Sequence, residues 1–197
     1  DYYQMPRTQS STMRNLAVIP ARAGSKSIPN KNIVNFLGQP LIARTILSCL
    51  DSKAFDYVHV STDSPEIRSV SLSLGAQCDF MRPKSIAGDI VGTSAAIKHT
   101  LKELSIRGQI FDNVFELQPT YVFRSADLIR EFMLSFERQR CTSLITCRLI
   151  KDTSHPDYAI RMDGNTCVFN IKKPDQFARQ DLRKFLACVG LILGGKV

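Results

Sequence analysis

Arg22, Lys26 and Lys31 crowd into ten residues directly after a short apolar run, in the stretch VIPARAGSKSIPNKN, Val18–Asn32. Gly24 and Ser25 lie between them. A loop that leaves the carboxyl end of a strand can aim backbone N–H groups at an anion. Glycine there lets a phosphate come close, and a serine hydroxyl adds a donor. Three cations on such a loop suit a triphosphate. The spacing matches neither G-x-x-x-x-G-K-[ST] nor G-x-G-x-x-G, which argues against a P-loop ATPase and a dinucleotide oxidoreductase. Asp63, in VSTDS, is the weak candidate for a metal ligand or a ribose contact, with an Asx turn or a helix cap as the plainer use. Asp89 divides evenly between a substrate contact and a loop cap. His59 and His99 fall inside a strand and a helix and read as structural, whereas His155 precedes a proline in a loop with access to a site. No Ser or Cys stands in a recognisable arrangement with a His, so covalent catalysis is not expected.

The elements that must carry these residues alternate. NLAVIPA (15–21) reads as a buried strand, and PLIARTILSCL (40–50) as a helix with Ile42 and Ile46 on one face. YVHVSTD (57–63) alternates as a strand. SPEIRSVSLSLG (64–75) offers a serine cap, a proline at the first helical position and a closing glycine. AQCDF (76–80) is expected as a short strand, TSAAIKHTLKELS (93–105) as a helix, DNVFELQ (112–118) as a strand, SADLIREFMLSFERQ (125–139) as a helix and TSLITCRLI (142–150) as a strand. The pattern predicts an α/β, Rossmann-like fold: an open, mostly parallel sheet with helices on both faces. Ligands of such sheets gather at the carboxyl ends of the strands, where the basic loop lies. Asp163-Gly164 looks like a turn between short antiparallel strands, a small insertion suited to dimerisation or to covering a substrate. Residues 1–14 are expected to be a flexible arm and 15–197 a single nucleotidyltransferase-like domain.

Composition narrows the partners. The 197 residues are 44% hydrophobic, enough for one sizeable core, and no apolar run reaches the length of about 18 residues that a membrane span needs. Lys and Arg number 26 against 18 Asp and Glu, for a net charge of +8. The basic residues are interspersed with acids, and no basic stripe with interleaved aromatics appears, so a nucleic-acid partner is not expected. The six cysteines show no C-x-x-C spacing, which argues against structural zinc; most lie in apolar segments and are expected reduced and buried.

The segments IPARAGSKSIPNKNI, VSTDS, RPKSIAGD with Thr93-Ser94 behind it, LQPTYVFR and FARQDL together resemble the CMP-sialic acid synthetases, or N-acylneuraminate cytidylyltransferases, and their relatives the CMP-Kdo synthetases. The likeness runs over roughly residues 15–185. It implies transfer of CMP from CTP to the anomeric hydroxyl of an acidic nine-carbon sugar, with release of pyrophosphate. By the same resemblance Arg22, Ser25, Lys26, Lys31 and Asn32 serve the triphosphate and base, and Arg82 and Ser94 hold the cytidine. Gln118 and Arg179 face the sugar acid, where a guanidinium can grip a carboxylate in a bidentate fork. Arg22 and Lys31 are the expected catalytic residues, Lys31 on the leaving side, with Mg2+ as cofactor and a homodimer as the assembly. Ser27 stands where the family has glycine, and Tyr121–Phe123 replace its turn-forming Ser-Pro-Leu. The family's magnesium-binding aspartates have no counterpart before Val197. The expectation is therefore a chain truncated at its C-terminus that binds CTP but is nearly inactive, with Asp63 as the weak candidate for a substitute ligand. Two alternatives accompany it: Kdo as the sugar, or an impaired binding module that dimerises with a full-length partner. A nuclear or Golgi setting in a eukaryote, or the cytoplasm of a bacterium, would suit either.

Overall fold

The computed structural model describes residues 13–24, 28–88, 91–150, 160–164, 166–169 and 186–197. In chain order the strands are β1 (Asn15–Pro20), β2 (Asn35–Phe36), β3 (Gln39–Pro40), β4 (Tyr57–Ser61), β5 (Asn113–Glu116), β6 (Ser143–Leu149), β7 (Ile160–Asp163), β8 (Thr166–Phe169) and β9 (Leu186–Lys196). The helices are α1 (Leu41–Ser52), α2 (Pro65–Ser73), α3 (Thr93–Ile106) and α4 (Ala126–Gln139). The main sheet has the order β4-β1-β5-β9-β6. Strand β1 pairs in parallel with both β4 and β5, and β9 joins antiparallel to β5. The expected open, mostly parallel sheet is what forms.

Strand β1 explains the layering. Leu16, Ala17, Val18 and Ile19 are all fully buried, as a strand covered on both faces must be, so its sequence is a continuous apolar run without alternation. Ala17 and Ile19 pack with Ile42 and Ile46 of α1, Ile67 of α2 and Ile129, Phe132 and Phe136 of α4. Leu16 and Val18 face the other way, onto Leu104 of α3. Local chemistry sets the helix starts. The Ser64 hydroxyl accepts the Ile67 N–H with Pro65 at the first position of α2, and Ser125 does the same for Leu128 in α4.

The chain divides into two compact units, Asp1–Leu144 with Leu191–Val197, and Ile145–Gly190. Within the second, β7 and β8 pair antiparallel with Asp163 opposite Thr166, and Gly164 turns between them at φ 58°. Two elements differ from the sequence expectation. AQCDF forms no strand: Gln77 makes a single bridge to His59 and the chain then leaves the sheet. Strand β9 is absent from the sequence expectation: LACVGLILGGK carries three glycines, which weaken a strand pattern. The cysteine expectation holds for Cys49 and Cys78, which are free and buried, whereas Cys147 is free and exposed on β6. No helix among the described residues is long and apolar enough to cross a membrane.

Candidate active site

The carboxyl ends of β1, β4 and β5 converge on one cleft. A cavity of about 190 Å³ is lined by the loop after β1 (Arg22, Gly24), Lys31 and Asn32, Arg82, Thr93 of α3, and Gln118 with the two residues that follow it. Five of the residues singled out from sequence, Arg22, Lys31, Asn32, Arg82 and Gln118, thus meet in space. Ser94 is the neighbour of Thr93 and lies exposed on the first turn of α3. Ser25, Lys26, Asp89, His155 and Arg179 lie outside the described residues.

Hydrogen bonds fix the described flanks of the basic loop. Ala21 N–H donates to the Ser61 carbonyl at 2.9 Å, continuing the β1–β4 pairing past the strand. Ala23 N–H donates to Asp63 Oδ1 at 2.8 Å, and Asn32 Nδ2 donates to the Arg22 carbonyl at 3.0 Å. Asn32 is buried. Asp63 therefore fastens the phosphate-type loop to the end of β4. The chain between Asn30 and Val34 makes a tight turn, with Asn30 in the left-handed region at φ 51°, and this sets Lys31 on the cleft wall. Gly24 meets no described atom within 4 Å of where a Cβ would stand.

Arg82 is buried at the cleft floor. Its backbone N–H donates to the Thr62 carbonyl at 2.7 Å and its Nη2 to the Ser61 carbonyl at 2.5 Å. Burial draws its guanidinium below the ordinary arginine range, Asp63 opposes that shift and Arg22 adds to it. On the far wall, the turn from Gln118 to Arg124 is clamped from beneath. Arg124 Nη2 donates to Thr45 Oγ1 at 2.9 Å and to the Gln118 carbonyl at 3.3 Å, and Ser48 Oγ donates to the Arg124 carbonyl at 2.8 Å. Tyr121–Phe123 still make the turn, with Tyr121 N–H on the Gln118 carbonyl and Phe123 89% exposed.

Sequence reasoning gave no role to Thr93 in the cleft or to Glu116 behind it. Thr93 lines the cleft, and its Oγ1 donates to Glu116 Oε2 at 3.0 Å; Glu116 Oε1 accepts Gln118 Nε2 at 2.9 Å. An acid inside the apolar strand DNVFELQ was the available signal for Glu116. The arrangement offers cations and oriented donors to an anion, with no positioned nucleophile among the described residues. Among the described residues, no three His, Cys, Asp or Glu side chains gather as metal ligands, and one oxygen of Asp63 is already occupied by the loop. The described residues do not by themselves build a Mg2+ site.

The site and fold define a nucleotide-handling α/β protein, and comparison with known proteins gives the family. A profile for the family "Cytidylyltransferase" matches residues 16–184, and the chain belongs to that family. It is 40% identical over 119 residues to the pseudaminic acid cytidylyltransferase of Campylobacter jejuni subsp. jejuni (strain 81-176), covering 60% of this chain and 51% of that protein. It is 38% identical over 174 residues to the CMP-N,N'-diacetyllegionaminic acid synthase of Legionella pneumophila subsp. pneumophila (strain Philadelphia 1), covering 86% and 70%. The chain thus spans about half the length of the Campylobacter relative. A solved structure of CMP:2-keto-3-deoxy-manno-octonic acid synthetase complexed with CTP shares the fold, with TM-score 0.68 at 16% identity over 93% of this chain and 74% of the other.

Proposed function

We propose that this chain is the catalytic portion of a cytidylyltransferase that joins CMP from CTP to an acidic nine-carbon sugar of the sialic acid type and releases pyrophosphate. The observation that carries the reading is the convergence of Arg22, Lys31, Asn32, Arg82 and Gln118 on a single cleft at the ends of three parallel strands. Displacement at a phosphate needs positioning and charge neutralisation more than covalent help. Arg22 and Lys31, with Lys26 and Ser25 from the same loop, neutralise the triphosphate, Lys31 acting on the departing pyrophosphate. Arg82 and Ser94 hold the cytidine, and Gln118 and Arg179 receive the sugar. A magnesium ion bound with the nucleotide would supply further neutralisation of phosphate charge; Asp63 is a weak ligand for it, since it serves the loop. The active assembly is a homodimer. Pseudaminic, legionaminic and N-acylneuraminic acids all fall within the substrate class that the names of its relatives suggest.

Calorimetry with CTP, UTP, ATP and GTP at equal magnesium, followed by pyrophosphate release with each sugar acid and with Kdo, tests the reading. CTP is expected to bind at least tenfold more tightly than the others. Equal affinity for all four would reduce the cleft to a generic phosphate site, and turnover with Kdo alone would move the sugar to the other branch.

A further inference from the structure

Glu116 is a carboxylate only 6% exposed, at the end of the central strand β5 and in no ion pair among the described residues. A buried carboxylate is costly unless it is hydrogen-bonded. Its two oxygens accept from the two residues that flank it in the cleft, Thr93 Oγ1 and Gln118 Nε2. Both donors line the cavity; Glu116 itself does not. A carboxylate only accepts, whereas the amide of glutamine has one accepting and one donating end. With Nε2 turned to Glu116, the carbonyl Oε1 of Gln118 is left for the cleft, and no described donor reaches it. The backbone of Gln118 is held as well, through its carbonyl to Tyr121 N–H and Arg124 Nη2.

We propose that Glu116 is a positioning residue that locks the Gln118 amide with its oxygen toward the cleft, so that this wall selects a hydrogen-bond donor on the acceptor sugar, a hydroxyl or an acylamino N–H. The sugar's carboxylate is thereby excluded from this wall and directed to the cationic side. Thr93, held by the other oxygen, ties the start of α3 to the same lock. The inference rests on the cytidylyltransferase reading for the identity of the sugar, but the lock itself is a property of the unliganded protein.

Glu116→Gln is the variant to make: it keeps the shape, yet its amide can donate to the Gln118 carbonyl, so the single orientation is lost. The first readout is the Gln118 side-chain NH2 pair in an amide NMR spectrum of the unliganded chain, assigned by its disappearance in Gln118→Ala. One of its protons is expected downfield of the other glutamines and to move upfield in Glu116→Gln. An unmoved pair overturns the lock, whether or not the chain turns over any sugar. The second readout is steady-state kinetics on N-acetylneuraminic, pseudaminic and legionaminic acids with CTP. The KM for the sugar that is turned over is expected to rise at least fivefold while that for CTP stays within twofold. A parallel rise of both, or of neither, overturns the selectivity. If wild type neither binds CTP nor turns over any of the sugars, the functional reading falls and the NMR readout alone decides the role of Glu116.

Discussion

In the proposed reaction Lys31 faces the departing pyrophosphate, and Asp63 fastens the loop that receives the triphosphate. One preorganised charge facing developing negative charge contributes a few kcal/mol to a transition state. In an active, full-length version, Lys31→Ala is therefore expected to lower turnover more than about tenfold with little change in sugar KM, as steady-state kinetics would show. Loss of sugar binding at full turnover would place Lys31 in the other half of the cleft. Asp63 accepts the Ala23 N–H, a charge-assisted bond of about 1.5–3 kcal/mol. Asp63→Ala is expected to weaken CTP binding about tenfold in calorimetry, and Asp63→Asn, which keeps the acceptor, only two- to threefold. Equal damage from both would favour a metal-ligand role instead. The basic loop with Arg22 and Lys31 was readable in the chain because it follows the buried run of β1, whereas Arg82 and Gln118 came from the family resemblance. Neither route gave Glu116. In DNVFELQ it reads as one polar residue of a strand, and only its register with the buried Val18 shows that it looks toward α3.

At the scale of elements, β9 is the part that sequence reasoning could not supply. Its glycines suggest a flexible tail until the sheet shows what each must avoid. Gly194 lies opposite Phe115, and a Cβ there would stand 1.9 Å from Phe115 Cδ1. Phe115 in turn packs edge-on against Phe132 and Phe136 of α4, so it has nowhere to retreat. Gly194→Ala is expected to cost more than about 3 kcal/mol of stability by overpacking, measured by urea denaturation, with Gly24→Ala as a nearly neutral control. A cost below about 1 kcal/mol would mean that the sheet can part there without penalty. By contrast, the helices were legible almost to the residue, since their caps are local: Ser64-Pro65 and Ser125 start α2 and α4 by hydrogen bonds within four residues. A short strand such as AQCDF has no such local signature, and one bridge is all its neighbours allow.

Across the whole molecule, the buried column beside α3 is expected to contribute to acid sensitivity. His59 is fully buried, stacks on Phe80 with ring centroids 4.6 Å apart, and has no hydrogen-bond partner on either ring nitrogen. Burial lowers its pKa from 6.5 to about 4; Asp79 opposes the shift, and His99 and Arg107 add to it. His99, across the Phe80 ring, is lowered in the same sense. As pH falls below 6.5 the unfolded chain takes up the His59 proton first, so the folded state loses stability from there down to about pH 4, by up to about 3 kcal/mol. Urea midpoints at pH 7 and pH 4.5 are expected to differ less in His59→Phe, which keeps the stack without the titration. An unchanged pH dependence would shift the cause to the carboxylates. The position of β9 carries one more consequence, for vectorial synthesis. While the ribosome makes the chain, β4, β1 and β5 can assemble early, but β5 keeps a bare, hydrogen-bonding edge until Leu191–Val197 have emerged. A nascent chain in that interval presents the kind of edge that recruits other strands. Slow translation through the Ile145–Gly190 segment would prolong that window, making yield depend on codon speed there and on chaperones able to hold an unfinished sheet.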